Sequence, residues 1–308
     1  MKQTVTWFAR IWTIVWKTGL FFILWGSLLA PFIVPFAAKF EQIQQTYPLQ
    51  LRLFFEVSGA STVVAVAWFM AHFIDRRSFI TLGFSTDYWI RDLFLGVNLG
   101  TGWLALSLAF LWFAGRLQVQ PAVVMSGSFL VWTAAALIFN TVAQEVLARS
   151  YIFQTIRSQT NATASVIVTA ILFMAYHAGA YHGSWLPAFN VFLAGILFGM
   201  AYQLTGNLWL PIGIHFIWNF LSGPVLGLTV SGNSQAYSRW HLLTVQGPAW
   251  LTGGAFGLEG GLVVTLTTLL GIVVLFILFR GRSGARRITN GQTALAHWIG
   301  KGSSRLAK

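Results

Sequence analysis

The chain has 308 residues, of which 56% are apolar, 16% are aromatic and only 8% are charged. A soluble domain carries about 25% charged residues, so this composition excludes an ordinary soluble protein. The sequence contains no cysteine, which excludes disulfides, thiolate metal ligands and cysteine nucleophiles. Apolar stretches long enough to cross a bilayer recur along the chain, and they predict a polytopic membrane protein.

The positive charge of the chain is concentrated near its C-terminal end. The formal net charge is +12, and seven of the 19 basic residues follow position 279, namely Arg280, Arg282, Arg286, Arg287, Lys301, Arg305 and Lys308. A basic cluster directly after an apolar run is typical of a cytoplasmic segment beside anionic lipid. Because no nucleic-acid-binding motif accompanies the charge, we predict a basic cytoplasmic tail over residues 280–308 and no nucleic-acid partner.

Eight apolar segments follow one another along the chain. They predict spans at residues 12–37, 53–74, 92–115, 127–157, 163–182, 189–204, 207–226 and 260–279. We therefore predict an all-α fold, a polytopic membrane helical bundle of about eight transmembrane helices with an intramembrane polar cavity. It forms one transmembrane domain over residues 1–279. Basic residues are enriched in the connections on one side, which predicts a multi-pass protein of the cell membrane with both termini cytoplasmic.

Three features of these segments depart from a plain span. Residues 127–157 are too many for one crossing at about 1.5 Å per residue, so we expect this helix to tilt or to project from the membrane. Gly195 and Gly199 have the GxxxG spacing, which we interpret as internal helix packing rather than dimerisation. The loop at 227–259 leads into the glycine-rich stretch LTGGAFGLEG, and the sequence predicts no role for it.

Six polar side chains lie inside three of the predicted spans. They are Gln144, Glu145 and Arg149 in the fourth, His177 in the fifth, and His215 and Asn219 in the seventh. Ionisable residues at membrane depth cost several kcal/mol unless they are paired, and by default they indicate function. Glu145 and Arg149 are four residues apart, as are His215 and Asn219, so each pair shares one helix face.

These residue types suit hydrolysis without a covalent nucleophile. A carboxylate with imidazoles can activate water as a general base, and a second histidine with an asparagine can donate hydrogen bonds to an oxyanion. We therefore predict Glu145, His177, His215 and Asn219 as catalytic residues, supported by Arg149 and Gln144. Each also has a structural interpretation, because Glu145 and Arg149 can neutralise each other and the histidines can serve packing.

A metal centre is the competing chemistry. Glu145, His177 and His215 match the ligand types of a catalytic zinc site. The chain has no HExxH motif, however, and one ligand on each helix is a weak signal. We therefore expect no cofactor and keep zinc bound by these three residues as the less favoured alternative.

The three motifs resemble those of the CPBP family, the CAAX protease and bacteriocin-processing membrane proteins. The family pattern is EExxxR, then FxxxH, then HxxxN or HxxxD; this chain has QEVLAR at 144–149, FMAYH at 173–177 and HFIWN at 215–219. The resemblance extends over about residues 75–226. It implies an all-helical membrane fold with an intramembrane cavity, and endopeptidase activity in those members that are enzymes. The best-understood branch removes the C-terminal tripeptide of prenylated CAAX proteins with a glutamate-activated water.

The same resemblance implies a role for each motif residue. Glu145 and Arg149 match the second glutamate and the arginine of the first motif. His177 matches the histidine of the second motif, and His215 with Asn219 matches the proposed oxyanion pair.

One motif position departs from the family. The first glutamate, usually given the role of general base, is here Gln144, and an amide cannot accept the proton of water at neutral pH. Either Glu145 has taken over as the base, or the chain is a pseudoenzyme that keeps the cavity. On a helix the two side chains point about 100° apart, so a takeover needs a different water position.

The sequence thus leads to two main hypotheses. The first is an intramembrane endopeptidase that acts near the end of a hydrophobic or lipidated peptide. The second is a catalytically silent membrane scaffold or bacteriocin-immunity protein that binds peptide or lipid in the same cavity, with membrane lipids as further partners. A transporter is disfavoured, because the sequence shows no inverted repeat and no pair of broken helices.

A shared site also sets a condition on depth. Glu145 lies about 18 Å along its helix from Arg157, whereas His215 lies only some 12 Å from the inner end of its span. The two residues can meet only if the fourth span projects or the seventh starts deep in the membrane.

Overall fold

The structure is a computed structural model, and it describes residues 6–39, 42–43, 46–121, 126–181, 183–232 and 242–279. The predicted basic tail at 280–308 lies outside the described residues. So do three histidines that the sequence analysis does not assign to the site, namely His182, His241 and His297.

Helices make up most of the described chain. In chain order they are α1 (Trp7–Ile33), α2 (Pro48–Phe69), α3 (Trp89–Phe113), α4 (Gly127–Arg149), α5 (Tyr151–Gln159), α6 (Ala162–Tyr176), α7 (Trp185–Thr205), α8 (Trp209–Phe220), the short α9 (Ala249–Thr252) and α10 (Leu262–Phe279). Two three-residue strands, β1 (Leu117–Val119) and β2 (Leu243–Val245), pair in antiparallel register. The predicted all-α membrane bundle is confirmed.

Each of the eight predicted spans is helical, the fourth as two successive helices, but the helices differ in length. Within the described residues, five helical segments are long and apolar enough to cross a membrane: Trp7–Ala37, Pro48–Ile74, Trp89–Phe113, Gly127–Gln159 and Trp185–Thr205. The helices of the fifth and eighth predicted spans are shorter apolar helices, Ala162–Tyr176 and Leu262–Ile277. The seventh, α8, has only 12 residues and continues as one π-helical turn, Leu221–Val225.

The long fourth segment is divided rather than continuous. Helix α4 ends at Arg149, Ser150 has non-helical angles (φ −91°, ψ −102°), and α5 begins at Tyr151. The carbonyl of Val146, one turn back, accepts hydrogen bonds from both the hydroxyl and the backbone N–H of Ser150, and such side-chain back-bonding bends helices. The expected excess length is therefore accommodated by a break directly after the motif arginine.

Glycines allow two pairs of helices to pack with their backbones in contact. At Gly96 of α3 an added Cβ would lie 2.4 Å from the carbonyl oxygen of Leu210, and at Gly213 of α8 it would lie 2.5 Å from that of Leu93. Helix α8, which carries His215, is thereby held tightly against α3.

The GxxxG pair makes a similar contact between α6 and α7. A Cβ at Gly195 would lie 2.8 Å from Cα of Ala170, and one at Gly199 would lie 3.2 Å from Cγ1 of Val166. The predicted internal packing role of these glycines is confirmed.

The apolar core has two main clusters. One contains Trp103, Phe173, Phe198 and Trp218 and surrounds the polar residues of α4 and α8. The other is centred on Tyr151 and the neighbouring residues of α5, with contributions from α1 and α2. The candidate site borders the first of these clusters.

Candidate active site

The centre of the candidate site is the carboxylate of Glu145, which is fully buried. Its Oε1 lies 2.8 Å from Nδ1 of His215 and 3.3 Å from Nη1 of Arg149. Oε2 has no hydrogen-bond partner among the described residues. The contact with His215 joins α4 to α8, so the depth condition for a shared site is met.

Arg149 is also fully buried and has partners on three helices. Besides Glu145, it donates from Nη2 to the carbonyl oxygen of Gly195 at 3.1 Å. Its guanidinium lies over the ring of Phe173 at 4.4 Å and near that of Phe198 at 5.5 Å. Since a buried charge is tolerated only when it is paired and hydrogen-bonded, these contacts explain how a cation is kept here.

The hydrogen bonds fix which nitrogen of each histidine carries its proton. Nδ1 of His177 lies 2.9 Å from the carbonyl oxygen of Phe173, which can only accept, so Nδ1 is the donor. Nδ1 of His215 lies 2.8 Å from Oε1 of Glu145, the oxygen that also accepts from Arg149, so Nδ1 is the donor here too. In the neutral state both rings therefore keep a free lone pair on Nε2.

Both histidines line one small cavity, here called the histidine cavity. It has a volume of about 30 Å³, which is room for one or two water molecules. Its wall also includes Phe173, Trp218 and Glu259. A water molecule bound there would meet lone pairs that can accept its protons.

The sequence analysis missed Glu259, which lies in the glycine-rich stretch before α10. Its Oε1 accepts a hydrogen bond from Nε1 of Trp218 at 2.8 Å, and its Oε2 accepts from the backbone N and the Oγ of Ser231 at 2.7 and 2.8 Å. The sequence did offer one signal for Glu259: the whole chain has only seven acidic residues, so each of them is a candidate for a functional role.

Gln144 belongs to a different environment from its neighbour Glu145. Its Nε2 donates to Oδ1 of Asn140 at 2.8 Å, and Asn140 donates to Oε2 of Glu56 at 2.9 Å. Glu56 in turn lies 3.8 Å from Arg52, one turn away on α2. The structure thus brings Glu145, Arg149, His177 and His215 together and leaves Gln144 outside this group.

Gln144 lines a second, larger space, here called the apolar cavity. Its volume is about 220 Å³, and its wall is otherwise apolar and aromatic, with Phe22, Leu172, Phe173 and Tyr176 among its residues. Phe173 lines both this cavity and the histidine cavity.

Asn219 is buried one turn after His215 on α8. Its side chain makes no hydrogen bond to the described residues, and it is not part of the described wall of the histidine cavity. Asn219 and His215 thus share one face of α8, as predicted, but their side chains are not hydrogen-bonded to each other.

Two of the three candidate zinc ligands, Glu145 and His215, are hydrogen-bonded to each other. Within the described part of the chain, no three His, Asp or Glu side chains are spaced to hold a metal ion. Oε1 of Glu145 is already occupied by Arg149 and by Nδ1 of His215, so these groups face each other rather than a common ion.

Comparison with known families agrees with the motif reading. Residues 126–221 match the family model described as Type II CAAX prenyl endopeptidase Rce1-like. The match covers less than half of the chain, but it includes all six motif residues of the candidate site and ends before Glu259. No curated protein and no solved structure matched the chain. The resemblance to the CPBP family is therefore confirmed over residues 126–221.

Proposed function

We propose that this Rce1-like membrane protein is an intramembrane endopeptidase that uses an activated water. The observation that carries the proposal is the buried hydrogen bond between Glu145 and His215, 2.8 Å long, at the wall of a cavity with room for water. A carboxylate that orients an imidazole is a recurrent arrangement for general-base catalysis.

In the proposed reaction Glu145 acts through His215 rather than directly. Nδ1–H of His215 is held by Glu145, so Nε2 takes one proton from the water as its oxygen attacks the scissile carbonyl carbon. When the C–N bond breaks, the protonated His215 returns that proton to the leaving amine. Asn219 remains our proposed oxyanion donor, because its amide is not engaged by the described residues.

The apolar cavity supports a hydrophobic or lipidated peptide as the substrate. It is about 220 Å³ in volume and shares the wall residue Phe173 with the histidine cavity. Burial of an apolar chain there would gain about 0.8 kcal/mol per CH₂ group. A peptide anchored in this way would have its peptide bonds close to His177 and His215.

The second candidate function is that of a silent scaffold or bacteriocin-immunity protein. Two observations favour it: the first motif position is the amide Gln144, and the Glu145 charge is already neutralised by Arg149 at 3.3 Å. Such a protein would bind the same peptide in the apolar cavity without cleaving it.

Peptide-terminus mass spectrometry on cells that express the chain tests both functions. The variants are wild type, Glu145→Ala and His72→Gln, a matched control because His72 is exposed and stacks on Trp68 away from the site. New peptide termini with the wild type and with His72→Gln, but not with Glu145→Ala, are the expected result. A parallel sample with a strong chelator tests the zinc alternative. No new termini at equal membrane abundance would contradict the endopeptidase and favour the scaffold.

We also propose that the protein lies in the cell membrane with both termini cytoplasmic. The support is the positive-inside distribution, with Arg76, Arg77 and Arg157 on the side of the basic tail. Since the chain has no native cysteine, single cysteines at Ser158 and at Ser184 can be labelled with a membrane-impermeant maleimide. In intact cells, labelling at 184 and protection at 158 are expected, and the reverse pattern would contradict this orientation.

A further inference from the structure

The glycine-rich stretch before α10 is built to a fixed shape. Gly253 and Gly257 have φ of 94° and 90°, and a Cβ would lie 1.6 Å from the carbonyl oxygen of Gly257 in the first case and 2.0 Å from that of Thr229 in the second. No other residue type fits such positions without displacing the backbone. Ser231 also has a positive φ of 50°, which is strained for a residue with a side chain.

This shape places the carboxylate of Glu259 at the histidine cavity. Nδ2 of Asn190, from α7, donates to the carbonyl oxygens of Glu259 and Gly261 at 2.7 and 2.9 Å and so fixes the backbone. Trp218 fixes the side chain at 2.8 Å, and it lies three residues after His215, on a neighbouring position of the same helix face. Helix α7 thus holds the backbone of Glu259, and helix α8 holds its side chain.

The charge of Glu259 has no counter-ion in the described part of the chain. Its hydrogen-bond donors, Trp218 and Ser231, are neutral, and no lysine or arginine of the described residues forms an ion pair with it. The other charged pair of the site, Glu145 with Arg149, is already balanced. Any proton taken up by a cavity histidine thus creates a positive charge that Glu259 can compensate.

We infer that Glu259 is a second catalytic carboxylate, which stabilises protonated His215 across the histidine cavity and accepts a hydrogen bond from the reacting water. The inference rests on the proposed function for its catalytic meaning. One hydrogen of the water goes to Nε2 of His215, and the other is held by Glu259, so the oxygen lone pair is directed at the scissile carbonyl. Glu259 neither gains nor loses a proton in this step.

The decisive measurement is the protonation of His215, and it needs no substrate. Protein labelled with ¹⁵N-histidine is titrated in detergent by NMR, and the His215 signal is assigned by its loss in His215→Gln. The charged and titratable groups around His215 are Glu145, which it contacts, Arg149, which binds Glu145, and His177 and Glu259, which line the same cavity. In Glu259→Gln we expect the protonation midpoint of His215 to fall by about one pH unit, because removing the negative charge disfavours the imidazolium.

Two further variants separate charge from loop structure. Ser231→Ala removes one hydrogen-bond donor to Glu259 but keeps the carboxylate, and Asp87→Asn removes an exposed carboxylate far from the cavity. Neither should move the midpoint by more than a few tenths of a unit. An equal shift in Glu259→Gln and Ser231→Ala, or no shift in either, would overturn the inference and leave Glu259 as a structural anchor.

The activity assay then distinguishes the two proposals. With the peptide identified by terminus mass spectrometry, Glu259→Gln should lose at least about tenfold in kcat, and the acid limb of its pH–activity profile should move to lower pH. If wild type cleaves and this limb stays fixed, the role of Glu259 is wrong while the endopeptidase stands. If nothing cleaves but the NMR midpoint moves, the endopeptidase and the catalytic meaning fall, and the charge coupling alone stands.

Discussion

Helix α4 carries two polar networks on adjacent faces. One is built around an ion pair, and the other begins with two neutral amides. On one face Glu145 meets Arg149 and His215, all buried, at the wall of the histidine cavity. On the other face Gln144 begins a chain of amide hydrogen bonds that runs through Asn140 to Glu56. Consecutive residues of one motif therefore serve separate sites, since a helix turns about 100° per residue.

This difference gives a physical reason for the glutamine. Nε2 of Gln144 donates to Asn140, and Asn140 uses its own Nδ2 to donate to Glu56. An ionised glutamate at 144 has no hydrogen to donate, and it would set an acceptor against the Asn140 carbonyl oxygen. The amide satisfies the network on its own face, and the chemistry on the other face does not require position 144 to be acidic.

The largest expected effect comes from His215, on the face of Glu145. His215→Gln should reduce turnover by roughly a hundred- to ten-thousand-fold, because it removes the proposed general base. The measurement is cleavage per folded protein in detergent, with His72→Gln as the control. A loss of less than tenfold would mean that His215 is not the base.

The next effect concerns the stability of the same face. Glu145→Gln leaves Arg149 buried without its carboxylate, which should lower the free energy of unfolding by about 3–5 kcal/mol. The double variant Glu145→Gln with Arg149→Met should recover most of this stability and none of the activity. Thermal unfolding in detergent measures the first quantity, and recovery of activity in the double variant would contradict the role of Glu145.

A smaller effect is expected on the opposite face. Gln144→Glu should lower stability by about 1–3 kcal/mol, because it leaves buried acceptors facing each other. It should not raise cleavage, since residue 144 lines the apolar cavity instead of the histidine cavity. Gln144→Leu is the matched variant that removes the donor without adding charge. Increased cleavage by Gln144→Glu would show that the two faces share one site.

The smallest effect tests the helix contact behind Arg149. Gly195→Ala should cost about 1–2 kcal/mol, because its Cβ would meet the backbone of Ala170, and it should shift the carbonyl that Arg149 binds. Gly199→Ala meets only a side-chain atom of Val166 and should cost less. Equal stabilities of the two variants in thermal unfolding would contradict this account of the helix contact.

The sequence was sufficient for the helical fold and for the meeting of Glu145, Arg149 and the two histidines. Apolar length determines spans, and four-residue spacing determines which side chains share a face. The break at Ser150 was not predictable in the same way, because it involves no proline or glycine. It coincides with a serine whose hydroxyl joins its own backbone N–H at the carbonyl of Val146, a contact that bends helices.

Two other features of the site depend on contacts that no local pattern records. Glu259 reaches the cavity through Trp218, which lies 41 residues earlier in the chain, and through a loop held by positive-φ glycines. The proton positions on His177 and His215 follow from their partners, a carbonyl and a carboxylate. The sequence therefore identified the reactive side chains, but it did not show which nitrogen of each histidine donates a hydrogen bond and which can accept a proton.

Phe173 makes the two cavities thermodynamically dependent on each other. The residue lines both cavities, and its ring centre lies 4.4 Å from the Arg149 guanidinium, a contact worth about 0.5–2 kcal/mol. An apolar guest that displaces this ring weakens the hold on the cation, and it does so by the same free energy by which loss of the cation alters guest binding. Binding of a guest in the apolar cavity and the stability of the Arg149 cation beside the histidines are therefore thermodynamically linked.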